Sequence, residues 1–350
     1  MDTANPLTPA SAVPGAPAGV TIPGGKRWRG FNLTSMFLRP GDHRFADMFP
    51  WEPAGFRETD FQWIAEWGFN CVRLPLCWHI WSTPKNATTI DELQIVKIDR
   101  ALDYGARHGL HVMLNLHAAP GYCVHDRNDE GFDLWRDRAA LDAFVFQWRF
   151  FAERYRGLAP QLLSFNLVNE PNGARDDHER VMRTTIASIR AIDAARPIIL
   201  DGVEGGGKTM PELADLGIIQ SCRGYSPIEV SHHRAWWVPA QDIPLPGWPV
   251  WVPQWNQIVN KQSLWNAFND HGWIQLARSG APVVCGEFGA YNLAPHNVVL
   301  GWMRDLLAVL RQENIGFLLW NFRGSFGVLD SARADVDYED WYGHKLDRTM

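Results

Sequence analysis

No long run of lysine or arginine occurs in this 350-residue chain, and its formal charge is -6 with a pI near 6.1. Nucleic acid and anionic membrane surfaces are therefore not expected as partners. No apolar run approaches the length that spans a bilayer, so no membrane span is expected. Cysteine is scarce: the five residues at 71, 77, 123, 222 and 285 are odd in number and lack paired or metal-ligand spacing. A disulfide framework, a metal site and a cofactor are accordingly not expected, and a reducing, cytoplasmic setting fits. Cys71, Cys222 and Cys285 fall in apolar runs, where a free thiol behaves as a small buried hydrophobe. The first 25 residues, rich in Pro, Ala and Gly, have neither a basic start nor an apolar core and read as a flexible or wrapping arm. G-x-S-x-G and H-E-x-x-H are also absent, which removes the common serine and zinc hydrolase signatures.

Tryptophan is abundant, with 18 copies, and flat indole faces suit the C–H faces of sugar rings as well as an aromatic core. From residue 26 to 350 the chain reads as one domain. Short apolar runs cover Arg27 to Leu33, Cys71 to Pro75, Val112 to His117, Leu162 to Asn169, Pro197 to Leu200, Gly217 to Cys222, Val283 to Glu287 and Gly316 to Trp320. Amphipathic helical patterns lie between them. One carries Leu141, Phe144, Val145, Trp148, Ala152 and Tyr155 on one face, and another carries Met303, Leu306, Leu307 and Leu310. Eight strands alternating with helices predict an α/β fold, a single (β/α)8 barrel with its site at the C-terminal strand ends. A doubly wound open sheet is the structural alternative. Residues 226–273, between the sixth and seventh strands, hold seven Trp, and Pro239, Pro244, Pro246 and Pro249 exclude a long helix through that stretch. A loop of this length and composition is expected to act as a lid or pocket wall.

Polar residues gather where the apolar runs stop: Arg73 after the second, His117 after the third, Asn169-Glu170-Pro171 after the fourth, Gly286-Glu287-Phe288-Gly289 after the seventh and Trp320-Asn321 after the eighth. In a barrel these converge on one mouth, where a desolvated carboxylate needs a partner or a task. Two carboxylates facing each other across the axis suit glycosidic bond cleavage, one as proton donor and the other as nucleophile. Arg73 favours the ionised form of one, while burial and the neighbouring charge raise the other. Asn169 would present its amide near the sugar 2-hydroxyl.

Through Gly30-Phe31-Asn32, Val72-Arg73-Leu74-Pro75, Asn115-Leu116-His117, Asn166-Leu167-Val168-Asn169-Glu170-Pro171, Gly286-Glu287-Phe288-Gly289 and Leu319-Trp320-Asn321, the chain resembles glycoside hydrolase family 5, the cellulase-like family. The resemblance runs from about residue 27 to 330. It implies a retaining glycosidase with Glu170 as acid/base on strand four, Glu287 as nucleophile on strand seven, and Arg73, His117, Asn169 and Trp320 lining the sugar site. One departure stands out. Where the family usually carries His-x-Tyr after strand six, this chain reads Arg223-Gly224-Tyr225. Tyr225 retains the means to hydrogen-bond the nucleophile, His232 or His233 is placed to reach the site, and Arg223 is expected to support the site by binding an acidic or unusual substituent of the substrate or, as the favoured alternative, to pair with a structural acid.

The substrate is expected to be a carbohydrate, a β-linked gluco- or manno-type oligosaccharide or glycoside. Release of a terminal sugar or short unit follows from reading residues 226–273 as a wall, and internal cutting of a β-glucan or mannan is the alternative. A non-catalytic sugar-binding barrel is a further alternative, opposed by the presence of both glutamates. Gly202 to Thr209 fits the phosphate-binding pattern G-x4-G-K-[ST], but Pro211 would break the helix that such a loop must open. A nucleotide hydrolase is rejected on that ground.

Overall fold

The computed structural model describes residues 25, 27–42, 44–45, 48–49, 52–124, 130–238 and 243–350, so all but Gly25 of the N-terminal arm lies outside the described residues. Each of the eight apolar runs becomes a strand: β1 (Arg29–Asn32), β2 (Cys71–Cys77), β3 (His111–Ala119), β4 (Leu163–Asn166), β5 (Ile198–Asp201), β6 (Ile219–Arg223), β7 (Val283–Phe288) and β8 (Gly316–Leu319). All neighbours are parallel. β1 bonds to both β2 and β8, and β2 continues to β3, so the sheet closes on itself and is not the open doubly wound alternative. Helices such as Glu58–Glu66, Glu92–His108, Arg138–Arg154, Arg175–Arg190 and His296–Gln312 return the chain around the outside.

Side chains alternate across a strand, so every second residue enters the barrel. Trp28, Cys71, Met113, Ile199, Ile219, Val284 and Leu318 form a separate apolar cluster. Two residues further along the same strands stand Gly30, Arg73, Asn115, Asp201, Ser221, Gly286 and Trp320. The interior thus changes, in one step of the pleat, from an apolar plug to a polar mouth. The outward-facing alternates, among them Val72, Leu74, Leu114, Phe165 and Cys222, join the large core shared with the helices. That two-sided burial is why the strands read as nearly continuous apolar runs in the sequence.

In its described residues, which leave out Pro239, the long segment after β6 is built, not loose. It contains a short antiparallel ribbon (Val250–Val252 with Gln257–Val259) and the helices Lys261–Asp270 and Trp273–Arg278. Helix Lys261–Asp270 begins just past the proline-rich stretch, and Asn260 caps it through the Ser263 N–H. Its seven tryptophans divide among different tasks. Trp248 donates to Asp305 and Trp265 to Glu313, fastening the segment to the outer helix layer. Trp236, Trp251 and Trp255 are exposed, while Trp237 and Trp273 border the mouth cavity. The expectation of a tryptophan wall is therefore met by two rings; apolar residues of helix Lys261–Asp270 supply much of the rest.

Helix Arg138–Arg154 buries the face read from its sequence, including Leu141, Phe144, Trp148 and Ala152. Trp148 is fully buried against Phe165, and its indole N–H donates to the Leu167 carbonyl at 3.1 Å. It thereby ties the helix to the strand end that leads to Glu170. Replacing Trp148 with Ala should lower unfolding stability by about 3–5 kcal/mol. Trp148→Phe should recover the apolar part of that loss and leave about 1–3 kcal/mol for the unpaired carbonyl. Urea denaturation of the two variants measures the difference.

Candidate active site

The polar mouth is organised around Arg73, whose side chain is entirely buried on β2. Its Nη1 donates to Glu287 Oε1 at 2.5 Å and to Asn32 Oδ1 at 2.9 Å. Nε donates to Asn166 Oδ1 at 2.9 Å, and Nη2 to Asn169 Oδ1 at 2.7 Å. A buried guanidinium with fewer acceptors would be strongly destabilising, so the three asparagines are part of its accommodation.

Glu287 stands opposite, next to an irregularity in β7 where the register with both neighbours shifts. Such a bulge re-aims a side chain beside a site. Gly286 is required there for a steric reason: a Cβ would lie 2.5 Å from Ser221 Oγ and 3.0 Å from Arg223 Nη1. The Glu287 carboxylate accepts from Arg73 on one oxygen and from the Tyr225 hydroxyl on the other at 3.0 Å. Burial, then Glu287 and Glu170, push the Tyr225 phenol well above its ordinary range, so it remains a donor.

Glu170 follows β4 in the turn before Pro171. Its φ of 46° lies in the left-handed region that non-glycine residues rarely adopt, at a cost on the order of 1 kcal/mol. Two hydrogen bonds clamp that backbone: its N–H donates to Asp201 Oδ2 at 3.0 Å, and its carbonyl accepts from the Tyr122 hydroxyl at 2.6 Å.

Arg223 links the two carboxylates. Nε donates to Glu170 Oε1 at 2.8 Å, and Nη2 lies 3.3 Å from Glu287 Oε1. Nη2 also donates to Asn169 Oδ1 at 2.8 Å and to Asp201, while Nη1 donates to Ser221 Oγ and the Cys222 carbonyl. The cation therefore pairs with Asp201 and with both strand-end glutamates inside one buried cluster. Burial works against the charge on Arg223, yet Asp201, Glu287 and Glu170 together hold it firmly protonated. Asp201 is also buried, which opposes ionisation, but Arg223 and Arg73 hold its carboxyl below the ordinary range.

Trp320 stacks on His117 with centroids 5.4 Å apart, and His117 Nε2 lies 3.3 Å from Asn169 Nδ2. Above this layer opens a cavity of about 420 Å³ bordered by Glu170, Arg223, Tyr225, His232, Glu287 and Trp320. Arg73, His117 and Asn169 do not line it as expected. They are buried behind it, because both arginines take the Asn169 oxygen and Trp320 covers His117. Asn169 is consequently oriented with its amide nitrogen away from the arginines. His232 does border the cavity, with its ring 5.1 Å from that of Tyr225, whereas His233 is buried and is not among the bordering residues. On the Glu170 side, the rim is Gly205 and Gly207, where Gly205 N–H donates to the Pro171 carbonyl and Trp273 donates to the Gly207 carbonyl. The phosphate-loop lookalike is thus a rim turn, with Lys208 spent on exposed Glu204.

Asn32, Asn166, Asp201 and Tyr122 were not singled out as site residues from the sequence. Asp201 had a usable signal, since it ends an apolar run two positions after the plug residue Ile199. Tyr122 had none, because it enters from a turn after β3.

Burial raises the Glu170 carboxyl to about 7, reinforced by Glu287 and opposed by Arg223. A 13C titration of labelled glutamate should accordingly find one buried carboxyl titrating near pH 7 and absent from Glu170→Gln. Glu287→Gln should move it to lower pH, because a raising charge is removed. An unchanged titration would mean that the two carboxyls do not interact.

A glycoside hydrolase crystal structure is 36% identical, with a TM-score of 0.84, covering 92% of this chain and 96% of that one. The endoglucanase Cel5A of the hyperthermophilic Thermotoga maritima superposes with a TM-score of 0.70 at 23% identity, over 87% and 93% of the two chains, a likeness of fold. Endoglucanase C of Acetivibrio thermocellus is 26% identical over 308 residues, 81% of this chain and 88% of the relative. Cellodextrinase A of Ruminococcus flavefaciens is 22% identical over 265 residues, 74% of this chain and 76% of the relative. Residues 24–325 match the family model described as cellulase (glycosyl hydrolase family 5). With its closed barrel and strand-end glutamates, the chain belongs to glycosyl hydrolase family 5, the cellulase family.

Proposed function

We propose that this family 5 glycoside hydrolase cleaves β-linked gluco- or manno-type chains with retention of configuration, cutting within the chain. The observation that carries the reading is the unequal treatment of two carboxyls gripped by one guanidinium. Glu287 accepts from a buried arginine and a tyrosine hydroxyl, an environment suited to a carboxylate. Glu170, buried and raised to about 7, is suited to hold a proton near neutrality.

In the first step Glu287 attacks the anomeric carbon while Glu170 protonates the departing glycosidic oxygen. In the second, Glu170 takes a proton from water, whose oxygen attacks the same carbon and releases Glu287. Trp320 offers a flat face to the sugar at the cut. Internal cutting is supported by the relatives named as endoglucanases. The contrary expectation, release from a chain end, has one feature in its favour: Leu264, Phe268 and Trp273 border the cavity beside the Gly205–Gly207 rim.

Glu287→Gln should abolish turnover of every substrate. Glu170→Ala should lose activity most on natural glycosides and least on aryl glycosides whose leaving group needs no proton. Equal losses on both substrate types would reverse the assignment, and NMR detection of an inverted first product would exclude the double displacement. For the mode of cutting, viscosity of soluble β-glucan or mannan should fall quickly while few reducing ends have formed. A slow fall matched to released small sugar would support end cutting.

A further inference from the structure

We propose that Asp201 is a positioning residue that fixes the charge of the catalytic cluster, so that one of the two glutamates, and not both, is ionised. The inference rests on the reading of Glu170 as acid/base. Its ground is a count of charges packed into one buried volume. Arg73 and Arg223 bring two positive charges, and Arg223 contacts Glu170, Glu287 and Asp201 while Arg73 contacts Glu287 and approaches Asp201 to 4.0 Å. The side chains of Arg73 and Asp201 are wholly buried and those of Arg223 and Glu287 nearly so, so water screens these charges poorly. Asp201 balances one guanidinium. One negative charge then remains to be carried by the glutamate pair, and the other glutamate keeps its proton.

The same count holds through the reaction. Before attack, Glu287 is the ionised partner and Glu170 holds the proton. Once Glu287 is esterified by the sugar, Glu170 has given its proton to the leaving oxygen and carries the charge. The cluster is neutral in both halves, so no buried net charge develops at either stage. Without the Asp201 charge, two guanidiniums would call for two carboxylates, and Glu170 would lose the proton it must donate.

The other groups facing Glu170 leave this balance intact. Tyr122 and Tyr225 are phenols pushed up by burial, and both remain neutral donors. His178, on helix Arg175–Arg190, is lowered by burial to about 4 and is neutral near pH 7. Glu204 and Lys208 on the rim pair with each other in solvent, and His232 and His271 border the cavity. Asp201 has a second attachment, accepting the Glu170 N–H and an Asn166 amide N–H, so it holds the backbone of the residue whose proton it governs.

The test reads the Glu170 carboxyl directly, by 13C titration of glutamate-labelled protein, assigned as the signal lost in Glu170→Gln. Asp201→Asn should lower its midpoint by about one pH unit or more. Arg223→Gln should raise it, Asp201→Glu should leave it near the parent value, and Asp201→Asn/Arg223→Gln should return toward the parent because the count is restored. The alkaline limb of kcat/KM on a substrate with a poor leaving group should move with the midpoint. If Asp201→Asn alone does not fold, the same charge step is read between Arg223→Gln and the double variant. An unshifted midpoint across that step, or a double variant displaced beyond both single variants, overturns the proposal and leaves Asp201 a scaffold residue. A failure of the acid/base assignment has a different sign: Glu170→Gln would keep its activity on poor leaving groups, whatever the titrations give.

Discussion

A guanidinium with no access to water dictates the layout of the barrel mouth. Arg73 needs acceptors for its N–H groups, and it finds them on β1, β4, the turn after β4, and β7. Satisfying it fixes Asn32, Asn166 and Asn169 and draws Glu287 into position. A second guanidinium, Arg223, repeats the demand from β6 and shares two of the same acceptors, Asn169 and Glu287. The two strand-end glutamate carboxyls are thus held less by their own rotamers than by two rigid planar groups that cannot be left unpaired.

Much of this was legible in the chain because strand periodicity is simple. The apolar runs mapped onto the eight strands with ends displaced by no more than three residues. The residues at their ends converged because a parallel barrel leaves them no other place. Glu170, Glu287, Tyr225 and Trp320 come together around one cavity, with Arg73 beneath them. What the sequence concealed was depth. Nothing in Asn115-Leu116-His117 says that Trp320 will cover His117, since that contact joins β3 to the end of β8 across the barrel.

The loop after β6 misled for a related reason. Tryptophan density suggested a sugar-facing wall, yet an indole serves as well to anchor a flap through its N–H. Trp248 and Trp265 do so on helix His296–Gln312 and the turn after it. Composition located the segment; only packing separates anchors from lining. Arg223 was a similar case, where the pairing with an acid was readable but the placement of that acid inside the site was not.

Glu170 combines two features that native structure tolerates poorly, a left-handed backbone and a carboxyl that burial pushes up to about 7. Because its proton affinity is higher when folded than the ordinary 4.5, ionisation favours the unfolded chain. That penalty grows as pH rises from the ordinary carboxylate range to about 7 and is constant above it. Glycine at position 170 would accept the dihedral and remove the ionisable group, but it would also leave the buried Arg223 Nε without the acceptor it has in Glu170. Backbone strain, raised proton affinity and the pairing of a guanidinium are thus bound together in one residue, so stability and chemistry cannot be tuned separately there.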